Sequence, residues 1–358
     1  MPRSVRSGVR AAGAGLGCAA VVAVLVGAAV AQSTGQQPAE QAEIAPLASR
    51  SMLLGAAYAG RRIVVVGQRG DILVSDDQGA SWRQVPVPTL STLTAVTFAD
   101  PNHGWAVGHD QVILRTEDAG DHWMRTHFNV AAEGPLLDVH FRDVDHGIAI
   151  GAYSAYLTSA DGGRSWQSQN FAPVANPAGG KVRAATASAD AAEDEGMQYH
   201  LNALADASNG KLYIAAEAGH LYRSDDGGAT WVTLPSPYEG SFFGVLPLDG
   251  DALLAFGLRG HLYRSDNAGA AWTEIATGVQ SMLTSAVRLP RDGVAVTGLA
   301  GIVLVSADGG RSFHLERQPD RKGMSDALVV GDRLLTVGEN GVKLLALTGD
   351  SNGEHQPH

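Results

Sequence analysis

The chain has 358 residues, 45% hydrophobic and 18% charged, so it can bury a large core, and its length alone would allow two domains. A formal charge of −11 opposes nucleic-acid or anionic-membrane binding as the main task, and a single cysteine, Cys18, rules out an intrachain disulfide framework. The 44 glycines, in a sequence that is not of low complexity, suit a protein made of many tight hairpins.

Residues 1–31 read as an export signal. Arg3, Arg6 and Arg10 precede an uncharged, mostly Ala/Val/Gly/Leu run over 11–31 that ends on the small residues Ala29-Val30-Ala31. The run is long enough to cross a bilayer, so an uncleaved anchor is the alternative; the small-residue ending favours cleavage. Gly15 stands where a lipoprotein signal usually has Leu, and apolar residues continue past Cys18, which argues against lipidation. Cleavage would leave a still more acidic product with no thiol. Residues 32–42 are expected to be a flexible lead-in, and Ala45-Pro46-Leu47-Ala48 a short edge strand.

Beyond Ser51 the chain repeats itself. The pattern Ser/Thr-x-Asp-x-Gly-x-Ser/Thr-Trp, an Asp-box, occupies 75–82, 116–123, 159–166, 224–231, 265–272 and 306–313. Its carboxylates are Asp77, Asp118, Asp161, Asp226 and Asp308, with Asn267 in the fifth copy; its closing aromatics are Trp82, Trp123, Trp166, Trp231, Trp272 and Phe313. Two copies are degraded: His122 and Ala271 replace the hydroxyl residue. A carboxylate two residues into a loop can accept N–H bonds from its own turn, and the following Gly supplies a positive φ. Six equivalent aromatics argue for packing, not for a ligand.

The aromatics lie 41, 43, 65, 41 and 41 residues apart. A period near 41 is that of a propeller blade or solenoid repeat. Two-residue turns of Gly-x-x-Gly type, some relaxed, mark the same register at 67–70, 108–111, 151–154, 216–219, 257–260, 298–301 and 338–341. That gives seven units. The first six have four short apolar runs, in the second unit 93–98, 104–108, 112–116 and 122–125, joined by tight connections into an antiparallel meander. The seventh unit has three runs and no box. The sequence therefore predicts an all-β fold, a seven-bladed β-propeller of four-stranded antiparallel blades over 43–347, with the stretch before Ser51 supplying the outer strand that closes the last blade. The 65-residue step holds an inserted loop at about 172–198, and residues 348–358 are expected to be a disordered tail.

The boxes, together with Gly104-Trp105-Ala106-Val107-Gly108 and the run from Gly219-His220-Leu221-Tyr222 into the fourth box, resemble the photosystem II stability/assembly factor propellers and their bacterial relatives. The resemblance covers roughly residues 50–347. It implies a non-catalytic assembly factor of the thylakoid lumen or periplasm that holds an immature reaction-centre subunit. No residue here matches a short motif for that family's arginine-rich patch. Asp-boxes also occur in sialidases and other glycosidases, so the alternative is a glycan-binding or glycoside-hydrolase propeller. The sialidase Arg-Ile-Pro signature is missing; Arg62-Ile63-Val64 is the nearest approach.

No metal site or cofactor is expected. Asp76-Asp77 and Asp225-Asp226 faintly suggest calcium loops, but the twelfth places carry Val87 and Ser236 where a bidentate Glu is needed. His103 and His146 precede Gly in corresponding turns and read as turn residues. Arg115, Arg223 and Arg264, just before boxes, read as links between blades. The Gly-x-x-Gly tips ring one face, the boxes the other, so Arg69, His109, Tyr153, Glu217, His220, Arg259 and His261 are the candidate partner-binding residues. The expected molecule is an exported, non-catalytic, monomeric scaffold that binds a membrane-associated protein or complex.

Overall fold

In the computed structural model, which describes residues 40–175 and 198–347, each repeat folds into one antiparallel sheet and the seven sheets form a propeller. Blade 2 shows the plan: strands Leu93–Phe98, Gly104–Gly108, Ile113–Thr116 and Met124–His127 run from the central channel outward. Second strands are buried along their whole length or, in blades 1 and 7, beyond a half-buried first arginine, because a neighbouring blade covers each face. The core therefore lies in the joints. Trp105 of blade 2, fully buried, stacks on Phe141 of blade 3 with centroids 3.4 Å apart.

The box loops cap the third and outer strands. In blade 4, Asp226 Oδ1 accepts from Ser224 Oγ (2.7 Å) and Thr230 N (2.9 Å), Oδ2 accepts from Thr230 Oγ1 (2.6 Å), and Gly228 N donates to Ser224 Oγ (2.9 Å). The degraded copies keep the loop by other means. His122 Nδ1 lies 2.7 Å from Asp118 Oδ2 in place of a hydroxyl, whereas Asn267 keeps only the bonds from Ser265 Oγ and Ala271 N.

Blade 7 differs from the expected arrangement. Its sheet has three strands, Met324–Val330, Arg333–Gly338 and Gly341–Ala346, and the stretch before Ser51 adds no fourth among the described residues. Pro46 has no N–H to give a ladder, and Ala48 N, Arg50 N and Ser51 N bond instead to Ala45, Leu47 and Ala48 carbonyls in a tight turn ending in the 3-10 helix Ala48–Arg50. Ala45–Ala48 is thus a turn, not an edge strand. This turn still covers the seam, with Ala48 buried in the core that blades 1 and 7 share and Ser49 O against Gly341. Ala42, at the end of the lead-in, is buried and donates to Val87 O at 2.9 Å.

Ring closure comes from the innermost strands. Each starts with a bulge, and the bulged residue can reach the next blade: Thr94 Oγ1 donates to Leu136 O, Asn202 Nδ2 to Phe242 O and Thr284 Oγ1 to Met324 O. At the seam, Asp326 Oδ2 accepts from Ala56 N (2.9 Å) and Tyr58 OH donates to Val329 O (2.6 Å). Blade 4 gains a fifth strand, Val174–Ala175, parallel to Val232–Thr233. The export signal, the rest of the insert and the tail lie outside the described residues.

Candidate functional site on the turn face

The turns between second and third strands are built by a close approach of backbones. A Cβ at Gly67 would lie 2.4 Å from Met52 O, and one at Gly108 2.0 Å from Thr92 O, so glycine is needed there for space. The chain then crosses the start of the inner strand, with Gln68 N, His109 N and Leu258 N donating to the carbonyl of the residue just before it. The following residue is left-handed even where it is not Gly: Arg69 (φ 56°), Asp110 (57°), Tyr153 (53°) and Arg259 (57°). Such residues carry conformational strain. Their side chains project from the tips, and Arg69, Tyr153 and Arg259 are all exposed.

Three of the candidates meet at the joint between blades 3 and 4. Tyr153 stands edge-on to His200 with centroids 4.9 Å apart, and His200 Nδ1 lies 3.3 Å from Glu217, whose other oxygen accepts from His200 N. His220 stacks on Tyr199 at 4.1 Å and sets Nδ1 3.0 Å from Glu217 O. Blade 5 has a second group. His261 packs on Tyr238 at 4.3 Å with Nδ1 3.1 Å from Glu274, and exposed Arg259 stands at the adjoining tip. Arg69, 3.9 Å from Glu43, and exposed His109 stay apart on blades 1 and 2.

Tyr199, His200, Tyr238 and Glu274 are absent from the sequence-derived set. Tyr199 and Tyr238 lie in the connections from an outer strand to the next inner strand, which share this face. An aromatic at that place, close to a turn His, is the signal that would have found them. Between blades 3 and 4 the face opens into a cavity of about 1020 Å³ lined in part by Tyr153, Phe171, Pro173, Tyr199 and His220. Gln198, one described end of the insert, also lines it. Rings with polar edges on rigid turns suit recognition of a polypeptide.

The opposite face is chemically different. The Ser165 hydroxyl and backbone hold the Asp161 carboxyl down at about 2, and the Ser81 hydroxyl does the same for Asp77, so these box carboxylates are ionised loop fasteners. Among the described residues, no three His, Cys, Asp or Glu side chains are grouped to hold a metal ion.

Fold and site together define the class: a seven-bladed β-propeller whose repeated carboxylates fasten its loops and whose turn rim carries aromatic and basic side chains. The chain belongs to the photosynthesis system II assembly factor YCF48 family, whose model matches residues 74–135 and 126–293. It is 40% identical over 81 residues to the chloroplastic photosystem II stability/assembly factor HCF136 of Cyanidioschyzon merolae, a match covering 21% of this chain and 18% of that protein. It is 38% identical over 53 residues to the photosystem II assembly lipoprotein Ycf48 of Synechocystis, covering 14% and 16%. Both matched stretches thus span less than a fifth of these relatives' length. A solved structure of YCF48 bound to D1 peptide superposes with a TM-score of 0.65 at 17% identity, covering 87% of this chain and 97% of that one, which is a likeness of fold.

Proposed function

We propose that this chain is a non-catalytic scaffold that assists assembly of a membrane-protein complex by holding one of its subunits on the turn face. Membership of the YCF48 family supports the reading, since relatives bear the names of photosystem II assembly proteins and a fold neighbour is described as bound to D1 peptide. The observation that carries it is the turn rim itself, where Arg69, Tyr153 and Arg259 are held out on left-handed tips, with histidine and tyrosine pairs beside them. His109, Glu217, His220 and His261 complete the proposed contact set. Export agrees with the leader over 1–31, and the protein acts as a monomer beside the membrane. Among the described residues no helix is long and apolar enough to cross one.

The test is affinity capture from native membrane extract with the unaltered chain and with Arg259→Glu/His261→Ala. Loss of a central charge and a stacked ring should lower recovery of a specific membrane subunit by about tenfold or more, with melting unchanged. Equal recovery would count against this face.

A further inference from the structure

Among the described residues, blade 7 alone has an open outer edge. In the other six blades a short fourth strand pairs with the third, as Arg83–Gln84 does with Leu73 and Val74, and His314–Arg317 with 302–305. Their third strands are buried throughout or carry a single half-buried residue. In blade 7 the third strand, Gly341–Ala346, has four half-buried residues, Val342 to Leu345, and an exposed end at Ala346. Ser49 O stands against Gly341 at its start. Beyond that point, 342–346 pairs with 333–337 on one side and, among the described residues, with no strand on the other. Such a row of unpaired N–H and C=O groups is a template for a further strand. The fold already takes an added strand at one outer edge, Val174–Ala175 beside Val232–Thr233 of blade 4.

The joint behind the open edge lacks a ring. Trp82, Trp123, Trp166, Trp231, Trp272 and Phe313 each pack into the joint between their own blade and the preceding one. Blade 7 has no box, and the joint of blades 6 and 7 is aliphatic: Ala295, Val303, Met324 and Leu334, with Leu345 and Leu347 partly buried at its margin. Val305 of blade 6 is half-buried where its counterpart in blade 1, Val74, is buried.

This chain does not supply the ring. The stretches 1–39, 176–197 and 348–358 contain no Trp, Phe or Tyr, so every such ring of the chain belongs to the described residues, and none packs in this joint. An extended segment with free backbone N–H and C=O groups and one large aromatic side chain fits both vacancies at once.

We propose that blade 7 is completed by an extended segment of a partner polypeptide, which adds as a fourth strand along the free edge of Gly341–Ala346 and sets an aromatic side chain into the joint of blades 6 and 7. The proposal does not rest on the turn rim, because this edge faces outward from the ring and its test reads binding there alone.

The probe is a synthetic peptide with the sequence of residues 306–317, a box with its aromatic and its outer strand, added to the full chain. Fluorescence anisotropy of the labelled peptide gives the affinity, and hydrogen exchange of the protein gives the place. Saturable binding with slowed exchange at 342–346 is expected. The same peptide with Phe313→Ala should bind more weakly by roughly tenfold or more, as loss of a buried ring implies. A copy N-methylated at both His314 and Leu315 should be weakened too, since successive N–H groups point to opposite edges and one of them must face the strand. No saturable binding, equal binding by either control peptide, or slowed exchange at 302–306 instead of 342–346 would overturn the proposal. Binding that appears only in a chain ending at Leu347 would give the edge to residues 348–358, and a dimer of the chain alone that the peptide dissociates would give it to a second copy; either result would overturn it as well. The peptide controls need no variant of the protein.

Discussion

Asp138 and Asp326 hold the third place of the inner strands of blades 3 and 7. Each carboxylate takes a backbone N–H from the next blade, Asp138 from Leu204 at 2.8 Å and Asp326 from Ala56 at 2.9 Å. Both lie deep in the ring yet keep a partly exposed edge on the channel side. Burial pushes the Asp138 carboxyl up to about 7, opposed by bonds from Leu204 and Val139 and aided by the charge of Asp326, which burial also raises. A carboxyl raised on folding stabilises the native state below its unfolded pKa of about 4, and that contribution is lost as pH rises through about 7. Between pH 5 and 8 the unaltered chain should lose on the order of 1–2 kcal/mol relative to Asp138→Asn, after discounting for water in the channel. Urea melts of both proteins at the two pH values check this; parallel pH dependences would contradict it.

The box carboxylates have the opposite sign. Asp161, held at about 2, contributes stability above about pH 4 that is lost as pH falls toward 2. Asp161→Ala should therefore melt a few degrees lower at pH 7, about 1–4 °C, with the gap closing in acid. A calorimetric series from pH 7 to 2.5 reads this directly. In the core, Trp105→Ala removes a fully buried ring stacked on Phe141 and the Nε1 bond to Gly162 O, and should cost about 3–5 kcal/mol in chemical denaturation.

At the scale of elements, the strands of each blade were legible because glycine-marked turns cut the sequence into short apolar runs with a fixed period. The 93–98 and 104–108 runs coincide with the strands Leu93–Phe98 and Gly104–Gly108. The last blade was not legible in the same way. The missing run pointed to an N-terminal strand, but Pro46 and local turn bonds favour the 3-10 helix, and the seam is sealed by Asp326, Tyr58 and Ala48. None of these has a sequence signature, because bulge position and side-chain reach emerge only when neighbouring blades are assembled. Deleting residues 40–50 should still lower the melting temperature, by uncovering the core shared by blades 1 and 7. An unaltered melting curve would show that the turn adds nothing to closure.

Across the whole molecule, the repeat separates two rims with different chemistry. Blade count and the division into a turn face and a box face follow from periodicity, so the sequence placed Arg69, Tyr153 and Arg259 on tips of the same kind. Which candidates meet was not legible. That depends on Tyr199 and Tyr238, which arrive from the connections between blades and pair with His220 and His261. We propose that the turn rim is where a partner subunit is held. Hydrogen exchange of the chain alone and in its captured complex tests this most directly: the tips at 152–154, 217–219 and 258–260 should exchange more slowly in the complex, and unchanged exchange at all three would contradict the account.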